Sequence, residues 1–282
     1  MHRTFVSVAV ASVLLSGCPD VGKLSEQRAS EVVKSLAPVV VGDAQQVRRG
    51  LPEGAAKLGA TIDADPGANL AGLQRAIAGA RSGVKDLDLA KSTFFSFVDP
   101  TGIVLRSEAD PDSAAQKSIL VPFPELKKAL DPASGVVEQF GEMAELNGVK
   151  NKPDVEWVLA HPVKDASGGL KGMFVTGWSF RRYAYYLEES AKRELHDAAQ
   201  KRGEKSVPLI YVFLLRGKKA YGAPLTPDVN ADALEKLDLH GKTSAGPYRG
   251  QLTITERTFG VAAERTAELG ADTAVAVLLS EI

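Results

Sequence analysis

The chain opens on an apolar run. Residues 4–15 (Thr-Phe-Val-Ser-Val-Ala-Val-Ala-Ser-Val-Leu-Leu) are uncharged and follow the short basic start Met1-His2-Arg3. A bilayer span needs roughly 20 apolar residues, so this run predicts the core of a secretory signal rather than a membrane helix. Beyond it the pattern turns helical. Leu24, Ala29, Val32, Val33, Leu36 and Val40 recur at near-helical spacing, and Leu70, Leu73, Ile77 and Ala80 form a second stripe with Arg75 and Arg81 on other faces. Pro38 predicts a kink or an end to the first helix. Residues 50–54 (Gly-Leu-Pro-Glu-Gly) and 63–67 (Asp-Ala-Asp-Pro-Gly) predict loops. Two or three helices are expected before residue 90.

The texture changes at Lys91. Residues 93–98 (Thr-Phe-Phe-Ser-Phe-Val) read as a strand, 99–102 (Asp-Pro-Thr-Gly) as a turn and 103–107 as the returning strand. A short helix is expected over 124–130, a third strand over 135–140, a long hairpin over 155–163 and 170–180, and a helix over 183–200. The order then repeats: strand 209–215, a turn at 216–219, a return from Ala220, a short helix over 232–239, and strands over 251–256, 259–264 and 273–279. No later segment is a long uncharged apolar run, so neither a second membrane pass nor a cytoplasmic output domain is expected.

Composition narrows the function classes. The 282 residues carry 34 Lys+Arg against 35 Asp+Glu, and aromatic residues make up 6%. Nucleic-acid binders show a basic excess or stacking aromatics, so no nucleic-acid partner is expected. A single cysteine excludes an internal disulfide and a thiolate zinc cluster.

That cysteine ends the phrase Leu15-Ser16-Gly17-Cys18. The phrase resembles the lipobox of bacterial lipoproteins. The resemblance implies a signal peptide over 1–17, diacylglycerol on the Cys18 thiol and a mature chain tethered to the membrane by lipid. Each buried methylene contributes about 0.8 kcal/mol, and two or more acyl chains anchor stably. Pro19 stands where an aspartate would favour inner-membrane retention, so the resemblance favours the outer membrane. The expected location is the cell envelope, lipid-anchored and facing the periplasm or the cell surface.

The twice-repeated order of strand, turn, strand, short helix and three strands is similar to the PAS-like sheet of Cache domains, extracytoplasmic sensor modules of bacteria. Two local phrases carry the resemblance. Phe97-Val-Asp-Pro-Thr-Gly-Ile-Val-Leu looks like the opening hairpin of such domains. Gly172-Met-Phe-Val-Thr-Gly-Trp-Ser-Phe, with the helix after Tyr183, looks like their last strand and exit helix. The implied fold is α+β: an N-terminal helical region followed by two PAS/Cache-like antiparallel-sheet units, a double Cache arrangement. The expected divisions are a lipidated N-terminus and helical region over 18–90, a first unit with its exit helix over 91–200 and a smaller second unit over 201–282.

Candidate chemistry is sparse. If Asp165 pairs with Leu170 across the hairpin, Trp157 lies opposite Trp178 and His161 opposite Phe174, and opposed residues share a face. Such a face is either a hydrophobic core or the aromatic wall of a ligand pocket. In Cache domains the ligand lies between the sheet and the segments joining its second and third strands. The candidate ligand-binding residues are therefore Trp157, His161, Phe174 and Trp178. Arg106 on the second strand is either a carboxylate partner or a solvated residue. The residue set of amino-acid-binding Cache domains has no counterpart in order here, although Arg181, Arg182, Tyr183, Tyr185 and Tyr186 cluster after the last strand. His161, His196 and His240 are far apart and form no zinc motif. No Gly-x-Ser-x-Gly elbow, P-loop or GxGxxG occurs. Neither catalysis nor a cofactor or metal is expected. The charges of the helix over 183–201 suit i,i+4 surface pairs and a connector between the units. Two readings follow: a membrane-anchored module that binds a small ligand and signals through an envelope protein partner, or an envelope scaffold whose pocket is filled by side chains.

Overall fold

A computed structural model describes residues 20–147, 152–204 and 206–281. The expected signal peptide and Cys18 lie outside the described residues. A 41-residue helix, α1 (Val21–Thr61), opens the fold, about 60 Å long at 1.5 Å per residue. Asp20 caps it: its Oδ1 accepts from the backbone N–H groups of Gly22 and Lys23 at 3.0 and 3.3 Å. The helix runs through both Pro38 and Pro52, so of the kink or end expected at Pro38 the end is corrected, as is the loop expected over 50–54. The cause is the buried stripe Ala29, Val33, Leu36, Val40, Ala44, Val47, Leu51, Ala55 and Leu58. An interior proline costs about 3 kcal/mol. Burying that many apolar side chains, at about 1.5–3 kcal/mol for each large one, outweighs two of them. Gly50 and Gly54 serve packing rather than turning. A Cβ at Gly54 would lie 2.4 Å from Leu87 and 3.0 Å from Phe174.

After α1 come α2 (Leu70–Ser82), capped by Asn69 Oδ1 on Gly72 N–H at 2.9 Å, and the single turn α3 (Lys85–Asp88). Leu73, Ile77 and Ala80 of α2 are buried as the stripe predicts, while Leu70 is largely exposed.

The first sheet holds β1 (Phe94–Val98), β2 (Val104–Ser107), β3 (Val137–Gly141), β4 (Glu156–Lys164) and β5 (Leu170–Ser179), with α4 (Ala144–Asn147) between β3 and β4. Its order is β2-β1-β5-β4-β3, every pair antiparallel. One face packs on the C-terminal half of α1. The other is covered by the segment joining β2 to β3, which includes a 3-10 helix over Pro124–Leu130. With both faces covered, β4 and β5 are buried almost continuously. The hairpin register puts Trp157 opposite Trp178 and His161 opposite Phe174, as expected. It slips by one residue between Val163 and Lys164, so Lys164 rather than Asp165 faces Leu170.

The helix α5 (Phe180–Arg202) leads out of β5 and ends at Gly203, whose φ of +69° closes it in the left-handed region. The second sheet follows: β6 (Leu209–Arg216), β7 (Lys219–Gly222), β8 (Tyr248–Ile254), β9 (Arg257–Arg265) and β10 (Thr273–Ser280). Its order, β7-β6-β10-β9-β8, repeats that of the first. Two short helices, α6 (Asp228–Lys236) and α7 (Leu239–Lys242), fill the connection from β7 to β8. The N-terminal half of α1 lies on β9 and β10. At Gly260 the approach is backbone to backbone: a Cβ there would lie 2.1 Å from the carbonyl carbon of Ser25. The whole is the α+β architecture expected, two antiparallel sheets of the same strand order with one helix serving both.

Candidate functional site

The side chains expected at a ligand site fall into three places. Trp157, Trp178 and Phe174 lie on the α1 side of the first sheet, where each is 0–1% exposed. The indoles are tilted at 48° with centroids 4.5 Å apart, and Trp178 stacks on Tyr183 of α5 at 4.5 Å and 20°. Arg48 of α1 lies 5.3 Å from the Trp157 ring and grips Glu138 with two hydrogen bonds of 3.0 and 2.7 Å. Trp157 Nε1 donates to the same Glu138 at 2.9 Å. Tyr183 Oη donates to Asp43 Oδ2 of α1 at 2.6 Å. This is a packed core seam between sheet and helix, so the pocket-wall expectation for Trp157, Trp178 and Phe174 is corrected: α1 lies against that face.

His161 is half-buried and borders a small recess of about 340 Å³ between Pro52, Ala56 and Ala60 of α1 and the turn at Lys164–Ala166. Burial depresses its pKa below the ordinary histidine range, against the hydrogen bond between Nδ1 and the Pro162 carbonyl at 3.0 Å. Arg106 is 14% exposed and pairs with Asp112 at 3.5 Å and Asp110 at 3.7 Å. Its charge is answered within the chain. The opposite face of the sheet, between β-strands and the β2–β3 segment, is packed with Ile119, Phe123, Leu126, Ala129, Met143 and Leu146.

An open cleft lies elsewhere, between α5 and the second sheet. It measures about 750 Å³, within the range of small-molecule sites, about 300–1,000 Å³. One wall is a single face of α5, where Arg182, Tyr185, Glu188, Glu189 and Lys192 recur at helical spacing. Tyr211 of β6 and the loop Ala223-Pro224-Leu225-Thr226 complete it. Leu225 is 95% exposed and Tyr185 is 53% exposed, so the lip is apolar and open. Lys192 Nζ pairs with Glu188 at 2.8 Å and Glu189 at 2.9 Å. Burial opposes the charge on Lys192, yet the hydrogen bonds to the two carboxylates prevail and hold its pKa above the usual lysine range. Glu188 is buried, and its second oxygen accepts from the backbone N–H of Val212 at 3.1 Å, fixing α5 to β6. The α5 charges are thus partly the surface pairs expected from the sequence, but they also line a cavity.

The loop wall is strapped to the first unit. Lys152 Nζ donates to the Thr226 carbonyl at 3.1 Å and pairs with Asp228 at 2.7 Å. That contact holds the Asp228 carboxyl below the usual aspartate range. Arg181, at the start of α5, donates through Nη1 to the Gly222 carbonyl at 3.2 Å and through Nε to the Pro153 carbonyl at 2.7 Å. Beside it Asp154 accepts from Ser179 Oγ, from Val155 N–H at 2.8 Å and from Arg181 N–H at 3.2 Å. Burial raises the Asp154 pKa, partly offset by these donors. Among the described residues no group of three or more His, Cys, Asp or Glu side chains is placed to hold a metal ion, and no helix is long and apolar enough to cross a membrane.

The cleft residues were not singled out by sequence as a site. Two signals point to them: Tyr185 on an otherwise charged helix face, and an apolar Leu225 between Pro224 and Pro227 in a loop.

No protein-family model and no curated protein matches the chain. Solved structures similar to it include ligand-binding and sensory domains. An extracellular ligand binding receptor from Desulfohalobium retbaense is 14% identical, with 89% of this chain and 39% of that chain covered and a TM-score of 0.49. The chain therefore spans well under half of that receptor. The ligand-binding domain of the Campylobacter jejuni chemoreceptor Tlp3, in complex with L-valine, is 9% identical over 94% of this chain and 97% of that one, with a TM-score of 0.48. The ligand-binding domain of the Pseudomonas aeruginosa amino acid chemoreceptor PctB, with L-Gln, is 13% identical over 89% and 88%, with a TM-score of 0.48.

Proposed function

We propose that this chain is a lipid-tethered envelope module that binds a small organic ligand and passes the event to a protein partner. The single observation behind this reading is the cleft between α5 and the 223–226 loop. It combines exposed tyrosine and leucine surface with a few charged groups, the make-up of a small-molecule site. Its loop wall is tied to the first unit by Lys152 and Arg181, so closure on a ligand would reach both units. The tether is the diacylglycerol on Cys18 that the Leu15-Ser16-Gly17-Cys18 phrase implies, with residues 1–17 removed as a signal peptide.

The test is a thermal-shift screen of the mature chain carrying Cys18→Ser, using amino acids, organic acids, amines, short peptides and purines. Binding to the folded state alone raises apparent stability by RT ln(1 + [L]/Kd), about 2.7 kcal/mol at a hundredfold excess over Kd. A reproducible rise is expected, abolished in Tyr185→Ala or Leu225→Ala with the ligand-free Tm unchanged. No response across the panel favours the second reading, an envelope scaffold. Its supporting observation is the packed face of the first sheet, where Ile119, Phe123 and Leu126 fill the space beneath the β2–β3 segment.

A further inference from the structure

We infer that the α5 cleft is built for a short, extended peptide of about three residues with both termini free; this rests on reading the cleft as the ligand site. The cleft offers two centres of opposite charge, one toward each end. Near the start of α5, Arg182 lines it, and its guanidinium makes no ion pair or hydrogen bond among the described residues; only its backbone N–H is engaged, with Ser179 Oγ. Two turns on, Glu188 and Glu189 share one ammonium, that of Lys192. Two carboxylates against one cation leave an excess negative charge there. One end therefore suits a carboxylate and the other an ammonium group.

Separation sets the length. Arg182 and Glu189 are seven residues apart on one helix, about 10 Å at 1.5 Å per residue. An extended chain advances about 3.3–3.6 Å per residue, so three residues bring an α-ammonium and an α-carboxylate to that spacing. A single amino acid carries both charges on one carbon and cannot reach both ends. A fatty carboxylate answers Arg182 and leaves the glutamates unanswered. Between the ends lie Tyr185, Tyr211, Pro224 and the exposed Leu225, a surface for an apolar central side chain.

The experiment uses the mature Cys18→Ser chain and isothermal titration with Ala-Leu-Ala. The same peptide is compared after N-acetylation or C-amidation, together with Leu alone. Free Ala-Leu-Ala is expected to bind at least tenfold tighter than either blocked form or Leu. The variants should show a crossed pattern. Arg182→Gln should bind free and amidated peptide equally while still preferring the free amine, and Glu189→Gln should do the reverse. Blocked peptides binding as well as free ones, or Leu binding as well as the tripeptide, would overturn the inference. If peptides fail while another compound of the screen binds and depends on Tyr185 and Leu225, only the peptide assignment is lost. If nothing binds, the ligand-site reading falls with it.

Discussion

At the scale of single residues, the seam beneath the first sheet joins a partly buried carboxylate to a phenol and two indoles that solvent does not reach. Asp43 of α1 accepts from Tyr183 Oη, with the Lys91 ammonium near enough to influence it. Burial raises the Asp43 pKa above the ordinary 3.8, more than the Tyr183 hydrogen bond and Lys91 lower it. An acid whose folded pKa is raised holds its proton better in the native state. Its contribution to stability is full below the unfolded pKa and is lost as pH rises through the folded one. Asp43→Asn keeps an acceptor for Tyr183 and removes the titration. The variant should gain stability relative to the parent between about pH 3.5 and pH 7, read from urea midpoints at the two pH values; a constant difference would mean that Asp43 does not titrate with folding. Tyr183 itself is pushed well above its ordinary range by burial and by the Asp43 charge, and so stays a donor throughout. The same seam explains a limit of sequence reading. That Trp157 faces Trp178 is legible from hairpin arithmetic, because antiparallel pairing fixes it. Which layer covers that face is not, because α1 lies about a hundred residues away in the chain.

At the scale of elements, strands were more legible than helices. Short runs such as 94–98, 209–216 and 273–280 are apolar, rich in Phe or in Val and Leu, and bounded by turn residues, so both sheets stand in the sequence. The second half of α1 does not, since Gly50, Pro52 and Gly54 read locally as a turn. They are helical because tertiary burial overrides propensity. The cleft was illegible for a related reason: Tyr185 and Leu225 are 40 residues apart, and only packing of β7 beside α5 brings them to one cavity. Contact between α1 and the second sheet depends on Gly260 of β9, whose missing Cβ admits the helix backbone at Ser25 and Glu26. A methyl there must push the helix away, because the atoms it meets are backbone and cannot rotate aside. Overpacking of this kind costs about 1–3 kcal/mol. Gly260→Ala should therefore lower Tm by about 2–4 °C per kcal/mol at this chain size. Gly42→Ala, where a Cβ meets nothing within 4 Å, serves as the control and should leave Tm unchanged or slightly raised.

At the scale of the whole molecule, α1 packs on both sheets. Its buried stripe continues from Ala29 on the second sheet to Leu58 beside the first, within one hydrophobic cluster that also takes in Val275, Val277 and Leu279 of β10. Arg28 adds a polar clasp at one end, pairing with Glu281 after β10 and Glu204 after α5, each at 2.8 Å. The Glu204 carboxyl is held at about 2, first by its bond with Arg202 and then by Arg28. A lowered acid contributes stability above its unfolded pKa and loses it as pH falls toward the folded one. That clasp should thus fade between about pH 4.5 and pH 2, and high salt should weaken its exposed part. Cooperativity itself can be read optically, because both tryptophans of the chain sit in the first sheet. Leu279→Ala removes a buried side chain from the second sheet and should cost about 2–5 kcal/mol. If α1 binds the sheets into one unfolding unit, the tryptophan signal of the untouched first sheet must move to lower temperature by as much as the far-ultraviolet circular dichroism, at least about 4 °C. A tryptophan midpoint that stays in place while the circular dichroism splits into two steps would show two independent units sharing a helix.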